Sequence, residues 1–252
     1  MAAYEADRSL RGKLRRRYSR LVYRRPLTLP AGRPMITFGF DDVPATAVSN
    51  GAAVLEDAGV RGTFYVCAGL EGQTGPMGDY GGAGETGRLI DAGHEVACHT
   101  FSHLDCGQAG AAAIAEDVQR NSEGLTALGR SSLQSFAYPY GDVSLSAKRV
   151  LGSRFSTLRT VQAGLIRTGS DANQLPAVGI EGDKGEAVAL AWMERAARSN
   201  AWLALYTHDV QAAPSPWGCS PGALARLVRS ATELGFEIVT MEQGAARAGL
   251  TV

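Results

Sequence analysis

Met35-Ile36-Thr37-Phe38-Gly39-Phe40-Asp41-Asp42 is a six-residue apolar run that stops on two adjacent carboxylates. A run this short, bounded by Pro34 and Asp41, suits a buried strand ending in acids. A helix is expected over Thr46 to Gly59, where Val48, Ala52, Val54 and Leu55 precede a terminating glycine, and Gly62 to Cys67 reads as a second strand. The alternation continues. Leu89 to Gly93 closes a helix, His94 to Cys98 is a third strand, Ala111 to Leu128 a helix on Ile114, Val118, Leu125 and Leu128, and Ser135 to Tyr138 a fourth strand. Further strands are expected at Phe155 to Leu158, Leu175 to Ile180, Trp202 to Tyr206 and Phe236 to Val239, with helices near Glu186 to Arg198 and Ala223 to Leu234. This order predicts an α/β chain built as one parallel (β/α) barrel, irregular in its later strands, with its chemistry at the C-terminal ends of the strands.

The 252 residues, 45% hydrophobic and 20% charged, can bury the core of a single large domain. A formal net charge of +0 hides an asymmetry: residues 8–25 hold nine of the 25 basic side chains. Leu10, Leu14, Tyr18, Leu21 and Val22 recur there at helical spacing, so residues 1–30 are expected to form a basic amphipathic helical arm and residues 31–252 the catalytic domain. Such an arm suits either an anionic lipid surface or the acidic body of the same chain. No nucleic-acid reader motif is present. No run of about 18 apolar residues and no secretory leader is visible, which leads to the expectation of a cytoplasmic protein, peripheral at the inner membrane face. Cys67, Cys98, Cys106 and Cys219 show no paired spacing and are expected to be reduced thiols. Residues 69–84 contain seven glycines, the composition of a loop that either covers a site or is ordinary surface.

Polar residues follow the strands in a pattern: Asp41 and Asp42 after the first, His99 and His103 after the third, Tyr140 after the fourth, His208 and Asp209 after the Trp202 strand. A spacing of four places two imidazoles on one side of a helical turn, within reach of one ion, and two imidazoles with one carboxylate leave positions open for water and substrate. HxxxH alone fits core histidines equally. The neighbouring carboxylates add weight, because two adjacent acids at a strand end repel unless a cation or proton lies between them. One of the two also suits a helix N-cap.

Phe38-Gly39-Phe40-Asp41-Asp42-Val43-Pro44 resembles the TFDDGP signature of the polysaccharide deacetylases, the NodB-homology or carbohydrate esterase 4 family. His99-Thr100-Phe101-Ser102-His103 resembles its H(S/T)xxH motif, Phe136 to Gly141 its RxPYG motif, and Leu205 to Asp209 its late histidine motif. The resemblance spans about residues 35 to 210. It implies a distorted (β/α) barrel of the NodB type in which Asp42, His99 and His103 bind Zn2+ or another divalent cation such as Co2+, Mn2+ or Ni2+. It further implies Asp41 as general base, the Tyr140 backbone N–H as oxyanion donor and His208 as general acid, with Pro139 and Tyr140 against the substrate; Trp217, in the proline-rich loop after His208, suits stacking on a sugar face or plain packing equally. Val43 stands where the family usually has glycine, and Ala137 where it often has an arginine beside the catalytic aspartate. Arg159 is a candidate to replace that arginine, and Glu181 or Asp183 to polarise His208. The implied activity is removal of N-acetyl groups from an N-acetylhexosamine, such as N-acetylglucosamine, in an exopolysaccharide or its lipid-linked precursor. The short form without a leader is similar to holdfast-type exopolysaccharide deacetylases. Rival readings are a deformylase or deacylase of another lipid-linked aminosugar, an iron oxygenase with the same ligand set, and a catalytically idle glycan-binding protein.

Overall fold

The computed structural model describes residues 18–130 and 132–251. Its strands are β1 (Met35–Asp41), β2 (Thr63–Val66), β3 (Thr74–Gly75), β4 (Gly78–Asp79), β5 (Glu95–Cys98), β6 (Ser135–Ala137), β7 (Thr157–Arg159), β8 (Val178–Gly179), β9 (Trp202–Thr207) and β10 (Glu237–Ile238). The helices are α1 (Ala53–Asp57), α2 (Ala83–Asp91), α3 (Ala111–Ala127), α4 (Leu145–Leu151), α5 (Gly185–Arg198), α6 (Pro221–Glu233) and α7 (Met241–Arg247). All strands except the β3–β4 hairpin join one parallel sheet in the order β7-β6-β5-β2-β1-β9-β8. β1 lies at its centre. One edge pairs with β9 from Met35↔Trp202 to Phe40↔Thr207, while the other is shared by β10 at Met35 and Ile36 and by β2 at Gly39 to Asp41. The sheet curls into a distorted (β/α) barrel, its seam bridged by Arg159↔Leu175.

The two-residue period of β1 explains both layers of the core. Ile36, Phe38 and Phe40 point outward into the main apolar cluster beneath the helices, where Phe40 stacks on Phe64 at 4.5 Å. Thr37, Gly39 and Asp41 face inward. Gly39 fits closely there: a Cβ would stand 3.2 Å from the Leu205 carbonyl oxygen, tighter than most such contacts. Two further contacts fix the chain at the mouth of the barrel. Asn121 on α3 accepts from the Ala68 N–H at 2.8 Å and donates to the Val66 carbonyl at 2.9 Å, and Asp117 accepts from the N–H groups of Phe101 and Ser102 at 2.6 and 3.1 Å.

The first helix begins with π-type winding over Ala47–Ala52 before α1, and the β3–β4 hairpin, α4 and α7 are additions to the sequence reading. Of the N-terminal arm, residues 1–17, with Leu10 and Leu14, lie outside the described residues. Residues 19–27 are strapped to the body through their basic side chains and backbone. Arg25 donates to the carbonyls of Gly152, Phe155 and Ser156, Lys148 to that of Ser19, Asn173 to that of Tyr23, and Leu27 is buried. No helix among the described residues is long and apolar enough to cross a membrane.

Candidate active site

A cavity of about 320 Å³ opens at the C-terminal ends of the strands, lined by Asp41, Asp42, His99, His103, Tyr140 and His208 together with Glu181, Tyr206 and Trp217. Leu70, Pro76, Met77 and Tyr80 from the glycine-rich segment also line it. That segment therefore borders the site, with Met77 and Tyr80 buried.

The backbone is bent sharply here. Of seven non-glycine residues with positive φ among the described residues, five are Asp42, Val43, Thr100, His103 and Tyr140, at φ 57, 48, 65, 55 and 59°. Such conformations cost of order 1–3 kcal/mol each and persist where surroundings over-determine them. Val43, β-branched and in the place of the family's usual glycine, is held by its buried side chain in the main core. The expected helical turn at His99 to His103 is absent. Left-handed bends at Thr100 and His103, anchored through Asp117, fold an irregular loop that brings the two imidazoles to 5.1 Å between centroids.

Asp42 Oδ1 lies 3.6 Å from His99 Nε2 and 3.4 Å from His103 Nε2. His99 Nδ1 donates to the Ala137 carbonyl at 2.8 Å, which leaves the Nε2 lone pair facing Asp42. Burial pulls His99 down to about 4 despite Asp41 and Asp42, so the ring is neutral near pH 7. Donors around a tetrahedral zinc, with bonds of about 2.0–2.1 Å, stand roughly 3.3 Å apart. Each imidazole nitrogen thus stands at a distance from Asp42 Oδ1 that suits two donors to one divalent cation. Cys67 joins them: its Sγ is 3.8 Å from Asp42 Oδ1, and Asp42, Cys67 and His99 form a cluster with metal-binding spacing. Reading the sequence from its motifs missed Cys67. The available signal was its position directly after a strand that pairs with the strands carrying Asp41 and Cys98.

Asp41 is turned away from this group and forms a buried ion pair with Arg159. Burial pushes its carboxyl up, but the Arg159 guanidinium, with His99 and His208, outweighs this and holds it below the usual range. Arg159 is 1% exposed and lies over the rings of Tyr65 and Tyr206, 4.7 and 5.0 Å from their centroids. Ala137 and Arg159 are register partners on adjacent strands. The guanidinium thus comes from the strand beside the one that carries it in the family motif.

His208 Nδ1 is 3.4 Å from Glu181 Oε1 and 3.2 Å from the Trp217 carbonyl. Burial lowers its pKa, but the Glu181 hydrogen bond and the two aspartates raise it further, to about 9, so it is an imidazolium at neutral pH. Asp209 instead holds the following loop, accepting from the Ser215 N–H and hydroxyl. Asp183 is exposed and does not line the cavity. Tyr140 sets its ring edge-on to His103 at 4.5 Å, whereas Pro139 is buried behind it and does not line the cavity. The fourth histidine, His94, is structural: it accepts from the Gly62 N–H and contacts Glu56 at 3.0 Å.

A family model described as polysaccharide deacetylase matches residues 29–153, the stretch that carries Asp41, Asp42, His99, His103 and Tyr140. No curated protein matches the chain. Among solved structures, a candidate polysaccharide deacetylase from Mycobacterium smegmatis superposes with TM-score 0.67 at 16% identity, covering 89% of this chain and 93% of that one. A family 4 acetyl xylan esterase from Clostridium thermocellum, in complex with a cobalt ion, gives 0.59 at 17% over 86% and 93%. A family 4 pseudoenzyme from Bacillus anthracis gives 0.61 at 13% over 88% and 69%. At these identities the likeness is one of fold. With the matched segment carrying both acids and both imidazoles of the site, the chain belongs to the polysaccharide deacetylase family of NodB homology.

Proposed function

We propose that this protein is a metal-dependent N-deacetylase that hydrolyses the acetamide of N-acetylhexosamine residues, N-acetylglucosamine foremost, in a bacterial exopolysaccharide or its lipid-linked precursor. The observation that carries the reading is the division of labour between adjacent acids: Asp42 faces two imidazoles, while Asp41 is held off them by Arg159. Asp42, His99 and His103 would hold the cation, zinc or a related divalent ion. When bound, it supplies a Lewis acid that acidifies water and polarises the acetamide carbonyl. Asp41, kept ionised, accepts the proton of the attacking water. The Tyr140 backbone N–H is assigned to the developing oxyanion, a role worth about 3 kcal/mol for a well-aimed donor. His208, cationic and oriented by Glu181, delivers a proton to the departing amine. Trp217, 39% exposed at the rim, offers a face for stacking on a sugar ring.

Acetate release from N-acetylglucosamine oligomers, measured with and without chelator beside metal analysis of the purified protein, tests this. Chelator-sensitive release with one bound cation is expected; release unaffected by complete removal of metal would overturn it. Formate in place of acetate would point to a deformylase. The paired Asp41 and the imidazolium of His208 speak against an idle binder or an oxygenase, neither of which needs a base and an acid flanking the cation site.

A peripheral position at the cytoplasmic membrane face is part of the proposal. Tyr18, Leu21 and Tyr23 are 57%, 70% and 49% exposed beside Arg20, and Arg20 lines a groove that shares Tyr140 and Val161 with the active cavity. Insertion of these apolar groups would turn the cavity mouth toward lipid-linked substrate. Sedimentation with vesicles containing anionic lipid should fall in Leu21→Glu; equal sedimentation by the variant and the parent would remove this placement.

A further inference from the structure

Cys67 immediately follows β2, and β2 lies between β1 and β5 in the sheet. The parallel register Asp41↔Tyr65 and Val66↔Cys98 carries the chain out so that position 67 emerges between Asp42 on one side and His99 on the other. The side chain is wholly buried and directed into that gap, 3.8 Å from Asp42 Oδ1, with its S–H given to the His99 carbonyl at 2.9 Å. A sulfur and an oxygen on one tetrahedral zinc, with bonds of about 2.3 and 2.0 Å, stand roughly 3.5 Å apart. The Asp42–Cys67 separation falls close to that span, and the donor atoms of Asp42, Cys67 and His99 all lie within 4.8 Å of one another, a condition His103 does not share with the full set. His103 is also the most exposed of the imidazole and carboxylate donors, at 14% for its side chain against 2% for His99 and 8% for Asp42.

We infer that Cys67 is an inner-sphere thiolate ligand of the cation, making this a mixed carboxylate, imidazole and sulfur site. The inference rests on the metal-dependent reading and extends it. On binding, the Cys67 S–H bond breaks, a metal–sulfur bond forms, and the proton leaves to solvent. A sulfur donor favours zinc and cobalt over manganese, magnesium and calcium. Asp42, His99 and Cys67 would form the buried part of the site, with His103 and room for water on its cavity side. A buried thiol that merely fills space beside Asp42 would show none of this preference.

Cobalt separates the two. The wild-type protein loaded with Co2+ should show visible ligand-field bands and, in addition, a near-ultraviolet sulfur-to-cobalt charge-transfer band. Cys67→Ser keeps a hydroxyl beside Asp42 and should lose the near-ultraviolet band while keeping the visible ones, with cobalt affinity weakened at least about tenfold. Visible bands without the charge-transfer band in the wild type, or an unchanged spectrum in Cys67→Ser, would overturn the ligand assignment and leave the metal-dependent reading intact. Absence of the visible bands in the wild type would overturn both. Zinc X-ray absorption on the wild-type protein gives an answer free of any folding defect in the variant: a sulfur shell at about 2.3 Å supports the thiolate, and a shell of nitrogen and oxygen alone refutes it.

Discussion

Arg159→Met removes the guanidinium paired with Asp41 while keeping most of the buried volume. Both partners are nearly inaccessible, Arg159 at 1% and Asp41 at 4% of their side-chain surface, so solvent cannot take over the role of the lost charge. Breaking a buried pair by removing one partner costs about 3–5 kcal/mol. For a domain of this size each kcal/mol moves Tm by about 2–4 °C, so Tm should fall by roughly 6–20 °C at neutral pH. The sign with pH is fixed by Asp41. Its folded pKa lies below the unfolded one, so the pair's contribution is present above the unfolded pKa and is lost as pH falls through the folded value. The melting temperatures of variant and wild type should therefore converge in acid. Activity gives a second readout, because an Asp41 freed from Arg159 titrates higher and moves the acid limb of the kcat/KM profile upward. The register partnership of Ala137 with Arg159 supplies the rescue: Ala137→Arg combined with Arg159→Ala should recover stability and rate relative to Arg159→Ala alone. An Arg159→Met protein with unchanged Tm and an unchanged acid limb would refute the argument.

Glu181→Gln removes the hydrogen bond that contributes most to raising His208; the alkaline limb of kcat/KM, expected near pH 9 in the wild type, should move toward the ordinary histidine range, with the largest absolute loss of rate near pH 8. Asp41→Asn should keep the metal and lose about 10²–10⁴ in turnover, whereas His99→Ala should lose metal, as read by metal analysis after gel filtration. Far from the site, burial and then Glu242 push Glu95 up to about 7, so the native state keeps a proton that the unfolded chain has released. Stability should decline by about 3 kcal/mol as pH rises between about 4.5 and 7, and Glu95→Gln should flatten that slope and raise Tm at pH 8.

The barrel was legible because its outward-facing residues are large and its strands short. Ile36, Phe38 and Phe40 with Phe64 and Val96 announce buried strands, and the polar residues that matter most follow directly where those strands end. The helix α7 went unread although Thr240 and Gln243 form its capping box: its buried face is only Met241, Gly244 and Ala245, and at its centre a Cβ on Gly244 would stand 2.4 Å from Trp202 Cζ2, so no apolar stripe marks it. The proximity of His99 and His103 could be read from their spacing, but not its cause, because left-handed backbone at Thr100 and His103 depends on the distant Asp117. Cys67 stayed invisible for a different reason. Its neighbours at the site are near through sheet register, which a motif one residue long does not encode.

The lateral displacement of a cation between two neighbouring strands has a consequence for how such sites change over generations. A lineage that moves its arginine from position 137 to position 159 must pass through a chain with both or with neither. Two guanidiniums side by side in a dry interior repel, and a lone carboxylate there loses its ionised form. Either intermediate is handicapped, so positions 137 and 159 act as one unit in which a single guanidinium sits beside Asp41.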